Sequence, residues 1–362
     1  MAARTISVLG ATGYTGRLIV RELQRLGVAV LAAGRNRDRL HRLAAEMGGI
    51  DIVEASVEDR PSLDRLAARS RVLINTAGPF IDYGEPVVRA AIAHGAHYLD
   101  TTGEQPFVKA MLAHDEWARR QGVAVVPAQA FEIAVADCAA AVAAKGFRDL
   151  ASLHVTYVTR FHASQGTQRT VLRMLQSAGY AYSGGEWVEE APAARVRVVH
   201  LPAPLGRLTA VSFPSAEVIT IPRHLTVRQV RTFMSVPAPL ARLISGTAPV
   251  LRLLLRSPFA GVATRFVGGG TGGPDEATRG RDEFHIAVDV RGVRGGTASH
   301  RVLMVHGRDP YGLTAAIVAH AAVLMSKPHY DRSGVLPPAA AFDPHAFLEY
   351  LNQFGLTYAA AD

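Results

Sequence analysis

Gly10-Ala-Thr-Gly13-Tyr-Thr-Gly16 directly follows the apolar stretch Ile6-Ser-Val-Leu9 and opens a helix-like stretch near Tyr14. At a strand-to-helix bend each glycine has its own task. Gly10 permits the tight turn, Gly13 lets the backbone approach a pyrophosphate without a Cβ in the way, and Gly16 lets the helix sit close to the strand. The amides of this run, with Thr12, Tyr14 and Thr15 between the glycines, and the positive end of the helix dipole would then face phosphate oxygens. The competing reading is a bare structural turn.

About twenty residues further on, an acid would be needed to accept from a ribose 2′-hydroxyl. The chain has Ala33-Gly34-Arg35-Asn36-Arg37 there instead. An arginine fork at the end of a second strand matches a 2′-phosphate in charge and shape, so NADP(H) is expected over NAD(H), with Arg35 and Asn36 in the site. Two alternatives stay open: Asn36 caps the next helix with Arg35 a solvated charge, or Asp38 serves the ribose.

Two more polar segments end strand-like runs. Asn75-Thr76-Ala77-Gly78-Pro79-Phe80 offers a small, rigid turn, and Ala77, Gly78, Pro79 and Phe80 are expected beside the nicotinamide ribose. Tyr98-Leu-Asp100-Thr-Thr-Gly103-Glu104 brings acids to the same edge; Glu104 is expected in the substrate pocket, while Asp100 either lines it or caps a helix.

The elements that must position these residues follow a regular rhythm. Strands are predicted at Thr5–Leu9, Val28–Ala33, Ile50–Ala55, Val72–Asn75, His97–Leu99 and Val123–Val126, with helices such as Gly16–Leu26, Arg37–Met47, Glu85–His94 and Phe107–Gln121 between them. This is the α/β pattern of an N-terminal Rossmann-type doubly wound parallel sheet, over residues 1–130. From about residue 131 to 307 longer strand-like runs take over, at Leu153–Phe161, Val196–Leu201, Glu217–Ile221, Phe284–Val290 and His300–Val305, which suits a second α+β domain for substrate or dimerisation. Residues 308–362 are expected to complete the first domain with helices, beginning with an amphipathic one at Pro310–Ser326. Gly268–Gly280 reads as a surface loop or flap, and the apolar, arginine-bearing Ala238–Val267 as a helical hairpin buried in this chain or a partner, or lying on a membrane surface.

Composition removes several function classes. Cys138 is the single cysteine and the 14 histidines are scattered, so neither a disulfide nor a metal site is expected. A formal charge of +8 invites an anionic partner, yet lysine occurs only at 109, 145 and 327, and the arginines form no basic run with interleaved aromatics, so no nucleic acid is expected. No run of about 18 uncharged apolar residues is present, and the first strand begins almost at Met1, so a cytoplasmic chain is expected.

GATGYTGRLIVREL, AGRNRDRL, NTAGPF with Tyr83-Gly84, and HYLDTTGE together resemble the saccharopine dehydrogenase-like NADP-binding family, and within it the trans-acting enoyl reductase branch. Phe213 to His224 and Gly307 to Thr314 extend the likeness. One segment departs from it: relatives tend to carry Gly-Phe-Asp-x-x-Pro-Ser-Asp where this chain has Ala130-Phe131-Glu132-Ile-Ala-Val-Ala-Asp137. That stretch borders the expected substrate pocket, in which Phe131 is placed.

The resemblance implies hydride transfer from NADPH to an unsaturated acceptor, either the enoyl C=C of a polyketide or lipid-like intermediate or an imine. Tyr83, His162 and Tyr311 are the candidate catalytic groups by residue type and neighbourhood, though none sits in a Tyr-x-x-x-Lys spacing. The implied partner is a small apolar or carrier-bound substrate, with peripheral membrane contact and a homodimer as further expectations. The alternative is a non-catalytic NADP(H)-binding regulator or a membrane-surface scaffold.

Overall fold

The computed structural model describes residues 5–160, 162–168, 179–241, 243 and 272–361. Two units emerge: Met1–Ala134 with Thr271–Gly273 and Tyr311–Phe342, and Val135–Gly270 with Pro274–Pro310 and Asp343–Asp362.

The first unit is built on seven parallel strands: β1 (Thr5–Leu9), β2 (Val30–Gly34), β3 (Asp51–Glu54), β4 (Ser70–Asn75), β5 (His97–Asp100), β6 (Ala124–Val126) and β15 (Gly334–Val335). Their order, β15-β6-β5-β4-β1-β2-β3, reverses direction between β1 and β4. The central strands read as apolar runs, because helices cover both faces of a parallel sheet and leave no side for polar residues. Register lines up the strand ends: Leu9 lies opposite Ala33 and Asn75, and Asn75 opposite Asp100.

Helices α1 (Tyr14–Arg25), α2 (Arg37–Glu46), α3 (Arg60–Arg69) and α4 (Phe80–Ala93) alternate with these strands. In α1, Gly16, Ile19, Val20 and Leu23 are buried, the spacing of a single helix face against the sheet. The continuous helix expected over Phe107–Gln121 is interrupted: α5 (Gln105–Met111) passes through a 3-10 turn at Leu112–His114 into α6 (Asp115–Arg120). The break frees Asp115 to accept from the Val335 amide at 2.7 Å, which ties β15 to the sheet. Helix Pro310–Ser326 is not amphipathic as expected. Leu313, Ala315–Ala319, Ala321, Ala322 and Met325 are all buried, as befits a helix that is apolar all round.

Helix α7 (Phe131–Ala143) leads into the second unit, whose mixed sheet has nine strands among the described residues. Its long centre pairs β7 (Phe147–Arg160) antiparallel with β13 (Glu283–Arg294), which pairs with β14 (Thr297–Arg308). The strand expected at Glu217–Ile221 is instead a helical turn, Glu217–Thr220, followed by a 3-10 turn, Ile221–Arg223. All five residues are buried, so the β-branched run has no solvent face to alternate toward, and Pro222 brings no N–H for a ladder. The chain does not end in helices of the first unit: residues from Asp343 belong to the second, and the strand Thr357–Ala361 pairs with β14. Of the Ala238–Val267 segment, residues 242 and 244–267 lie outside the described residues, as do residues 268–271 of the glycine-rich Gly268–Gly280, whose remainder holds a short helix, Glu276–Arg279.

Close packing can be tested at Gly84, inside α4. A Cβ there would meet the Phe107 ring at 2.3 Å, and Phe107 is itself buried. Alanine gains roughly 1 kcal/mol of helix propensity over glycine, whereas forcing extra volume into a packed core costs about 1–3 kcal/mol. Gly84→Ala should therefore lower the thermal midpoint; an unchanged or higher midpoint would show that Phe107 has room to yield.

Candidate active site at the carboxyl edge of the first sheet

The ligand edge of an open parallel sheet lies beyond its strand C-termini, at the point where strand order reverses. Here that point lies between β1 and β4. Gly10, at φ 81°, leaves β1 in a conformation that side chains resist, and a Cβ on it would meet Thr76 Oγ1 at 2.6 Å. The Gly10 and Ala11 amides both donate to the Ala33 carbonyl, at 2.9 and 3.1 Å, while the Thr76 amide and hydroxyl both donate to the Leu9 carbonyl at 2.9 Å. The bend is thereby bonded to both neighbouring strands.

Gly16 is the tightest position. A Cβ there would stand 2.3 Å from the Gly10 carbonyl oxygen and 2.9 Å from Ala11 Cα, so only glycine lets α1 start this close to β1. Gly13 is the helix N-cap; its side supplies no capping hydrogen bond, and no acid occupies the first turn of α1. A helix start that lacks both a side-chain cap and an anion suits a diphosphate. Tyr14 is held on two sides: its ring meets Tyr311 edge-on with centroids 4.9 Å apart, and a Cβ on Gly273 would lie 2.7 Å from its ring carbons. Sequence reasoning named Tyr14 and Tyr311 separately, and nothing in their spacing announced the pair or the glycine.

At the end of β2, Asn36 caps α2 by accepting from the Arg39 amide at 2.9 Å, one of the alternatives weighed from sequence. Arg35 is exposed next to it, and among the described residues its side chain has no hydrogen-bond or ion-pair partner. At the end of β4, Asn75 is buried; it donates to the Tyr98 hydroxyl at 3.2 Å and accepts from the Ala77 amide at 2.9 Å, which shapes the Ala77–Pro79 turn. Phe80 and Ile81 then open α4, and their amides donate to the two carboxylate oxygens of Glu104, at 3.0 and 2.9 Å. Expected as a pocket acid, Glu104 is buried and caps a helix from a distance.

Asp100 ends β5 fully buried. Its Oδ1 accepts from the Thr102 and Ala128 amides at 3.0 and 2.8 Å, which fixes the loop after β6 against the end of β5. Burial drives its carboxyl up to about 7, against the pull of those two amides toward the ionised form. Phe131 starts α7 beside the Tyr311 helix, its amide donating to Thr314 Oγ1 at 3.1 Å. Glu132, which sequence reasoning passed over, follows in the first turn of α7, and burial lifts its carboxyl to about 7 as well. The signal that would have found it is an acid in the first turn of the helix that follows β6.

The three candidate catalytic groups are not gathered at one point. Tyr83 is 37% exposed on α4, with no hydrogen-bond or ring partner for its side chain among the described residues. Tyr311 is 7% exposed and engaged with Tyr14. His162 belongs to the second unit, where its amide and Nδ1 both bond to Asp282, at 2.9 and 2.8 Å, and its side chain is 72% exposed. Also in that unit, Asp137 is buried and accepts from Thr220 Oγ1 at 2.7 Å, with His224 Nε2 at 3.0 Å. Among the described residues no three His, Cys, Asp or Glu side chains are placed to hold a metal ion, and no helix is long and apolar enough to cross a membrane.

A family model for the saccharopine dehydrogenase NADP-binding domain matches residues 6–126, which are the glycine bend and the strands described above. Residues 6–126 are thus a saccharopine dehydrogenase-type NADP-binding domain, and NADP(H) is the cofactor of this domain. The chain is 31% identical over 264 residues to a lipid droplet localized protein of Caenorhabditis elegans, covering 64% of this chain and 62% of that one. It is 32% identical over 149 residues to the human saccharopine dehydrogenase-like oxidoreductase, covering 36% and 35% of the two chains. A trans-acting enoyl reductase homologue from Mycobacterium tuberculosis is 32% identical over 139 residues, covering 36% of this chain and 33% of that one. The matched stretches thus span between about a third and three fifths of these relatives' length. The fold as a whole is that of the apo saccharopine dehydrogenase (L-Glu forming) of Saccharomyces cerevisiae, with a TM-score of 0.63 at 11% identity over 99% of this chain and 100% of that one.

A carboxyl whose folded pKa is raised takes up a proton on folding, so its favourable contribution is complete below the unfolded value, roughly 4, and is lost as pH rises through the folded one. For Asp100 that window runs from about 4 to about 7. Asp100→Asn keeps the acceptor oxygen and removes the titration. The stability of this variant relative to the parent should increase between pH 4.5 and 7.5, by on the order of a few kcal/mol. Denaturant unfolding at the two pH values would read it, and a constant difference would mean Asp100 is ionised in the folded chain.

Proposed function

We propose that the chain is an NADPH-dependent reductase that passes a hydride to an unsaturated acceptor: the enoyl C=C of a polyketide or lipid-like intermediate, or an imine. The observation that carries this reading is the uncapped, acid-free start of α1 at the glycine bend, with Arg35 unpartnered at the end of the neighbouring strand. On this reading Gly10, Thr12, Gly13, Tyr14, Thr15 and Gly16 hold the diphosphate by their backbone, and Arg35 binds the 2′-phosphate. The Ala77–Phe80 turn borders the nicotinamide ribose. Glu104 stiffens that turn, since it holds the amides that follow it. When bound, NADPH supplies the hydride; the protein's task is to hold the nucleotide, shut out water and deliver a proton.

The enoyl acceptor draws on the similarity to the trans-acting enoyl reductase homologue, and the imine on the fold shared with saccharopine dehydrogenase. An apolar or carrier-bound small molecule fits both, with the chain acting in the cytoplasm, alone or as a homodimer, and with peripheral membrane contact in keeping with the lipid droplet relative. The second reading, a non-catalytic NADP(H)-binding regulator, draws on the scatter of Tyr83, Tyr311 and His162.

Nicotinamide fluorescence tests the cofactor half. Losing a charge-assisted hydrogen-bonded pair costs about 1.5–3 kcal/mol, so Arg35→Ala should weaken NADPH binding roughly tenfold to a hundredfold and leave NADH nearly unchanged. Equal affinity of the parent for the two nucleotides would defeat the assignment of Arg35. NADPH oxidation across a panel of α,β-unsaturated thioesters and cyclic imines tests the reductase half. Tight NADPH binding with no turnover on any member would favour the regulator.

A further inference from the structure

The reduction proposed above needs a proton as well as a hydride, and none of the three groups singled out by residue type is well placed to give it. Tyr83 is exposed, Tyr311 is packed against Tyr14, and His162 is bonded to Asp282 in the second unit. The carboxyl edge of the first sheet offers another group. Glu132 sits in the first turn of α7, six residues past the end of β6.

Its location follows from strand order. The glycine bend leaves β1, the Ala77–Phe80 turn leaves β4 on the far side of the switch point, and β5 and β6 continue in that direction. A dinucleotide held at the switch point with its adenosine at the β2 end by Arg35 would carry its nicotinamide on the β4 side, the side on which β5 and β6 continue. β6 is two strand spacings from β4, or about 10 Å. Glu132 Oε1 reaches back toward the loop that follows β5, 3.7 Å from where a Cβ on Gly103 would stand.

Resting on the reductase reading, we propose that the Glu132 carboxyl is the catalytic acid that supplies the proton accompanying hydride transfer. As the acceptor's electron-poor carbon takes the hydride, its π pair moves to the neighbouring carbon or nitrogen. The O–H bond of Glu132 breaks and the proton forms a new bond there. The acceptor is reduced, the nicotinamide is oxidised, and the carboxylate regains a proton from water. A helix start favours the anion, and so would hold an exposed acid ionised near neutrality. Here burial outweighs it and lifts the group to about 7, where an acid is both populated and able to give its proton.

The other titratable groups on the adjoining segments hold backbone or neighbouring side chains. Asp100 holds the Thr102 and Ala128 amides, Glu104 those of Phe80 and Ile81, and Asp137, further along α7, accepts from Thr220. On the helix beside the start of α7, Tyr311 meets Tyr14, and burial keeps His320 neutral by lowering it to about 4.

A carboxyl close enough to protonate the acceptor must sense the charge on the oxidised ring. The ratio of NADP+ to NADPH affinity isolates that effect, because the 2′-phosphate titrates identically in both. By linkage, the carboxylate formed above pH 7 should favour NADP+, so the ratio should rise about tenfold between pH 6 and 8. In Glu132→Gln the rise should shrink to the part that Asp100 supplies, read by repeating the comparison in Asp100→Asn, and Glu132→Asp should restore it. Binding of 2′,5′-ADP, which lacks the nicotinamide, should be the same in all of these proteins and so shows that the fold is intact. A flat ratio in the parent, or an unaltered rise in Glu132→Gln, would overturn the assignment while leaving the cofactor reading in place. Failure of the parent to bind any of the nucleotides would remove the reductase reading and this role together.

Discussion

The approach of α1 to β1 is the constraint from which the rest of the first unit follows. With Gly16 against the Gly10 carbonyl, the helix axis starts almost on top of the strand it follows, and its first turn opens at the sheet's switch point. A methyl group at either glycine would push the helix outward and turn its amides off the edge. The hydrogen bonds from the bend to Ala33 and from Thr76 to Leu9 hold the neighbouring strand ends to the same level. The result is one rigid rim to which β2, β4, β5 and β6 all contribute. A site built on such a rim loses little to loop motion, which is what hydride transfer over a short, fixed distance requires.

The rim was legible in the sequence because its signals are local. The glycine spacing, the apolar runs and the small-residue turn at Ala77–Pro79 each lie within a few residues, and each is fixed by backbone sterics that any context must obey. The second unit was less legible for the opposite reason. Glu217–Ile221 carries strand-forming residues, yet burial on every side and the bond from Thr220 to Asp137, 83 positions away, decide a helical turn. The strand Thr357–Ala361 looked like a helix end until its partner β14 was known. Propensity gave way to tertiary contact in both places.

Side-chain roles at the rim divided along the same line. At the end of β2 the structure shows the alternative weighed from the sequence, with Asn36 capping α2 and Arg35 exposed beside it. Glu104 and Asp100 were not readable by type, because an acid written in sequence does not say whether it faces solvent, ligand or an amide. Glu104 spends both its oxygens on the start of α4, and Asp100 spends one on two loops at once. Both hold backbone at the strand ends, and the Ala130–Asp137 segment, which departs from the family pattern beside the expected substrate pocket, contains Glu132.

Electrostatics along the rim then takes a single sense. A phosphate-rich nucleotide needs cations and bare amides at its adenosine end, where Arg35 stands and no acid occupies the first turn of α1. Carboxylates near the other end would stabilise the oxidised ring and so hold back its re-reduction and release. Burial resolves the conflict: Asp100 and Glu132 are both lifted to about 7, so near neutrality a substantial fraction of each is uncharged, by desolvation and not by a neighbouring cation. A lysine or arginine placed there to neutralise them would instead have fixed the acids as anions. Burial keeps the proton on these carboxyls near neutrality, while Arg35 stands exposed and charged at the other end of the rim.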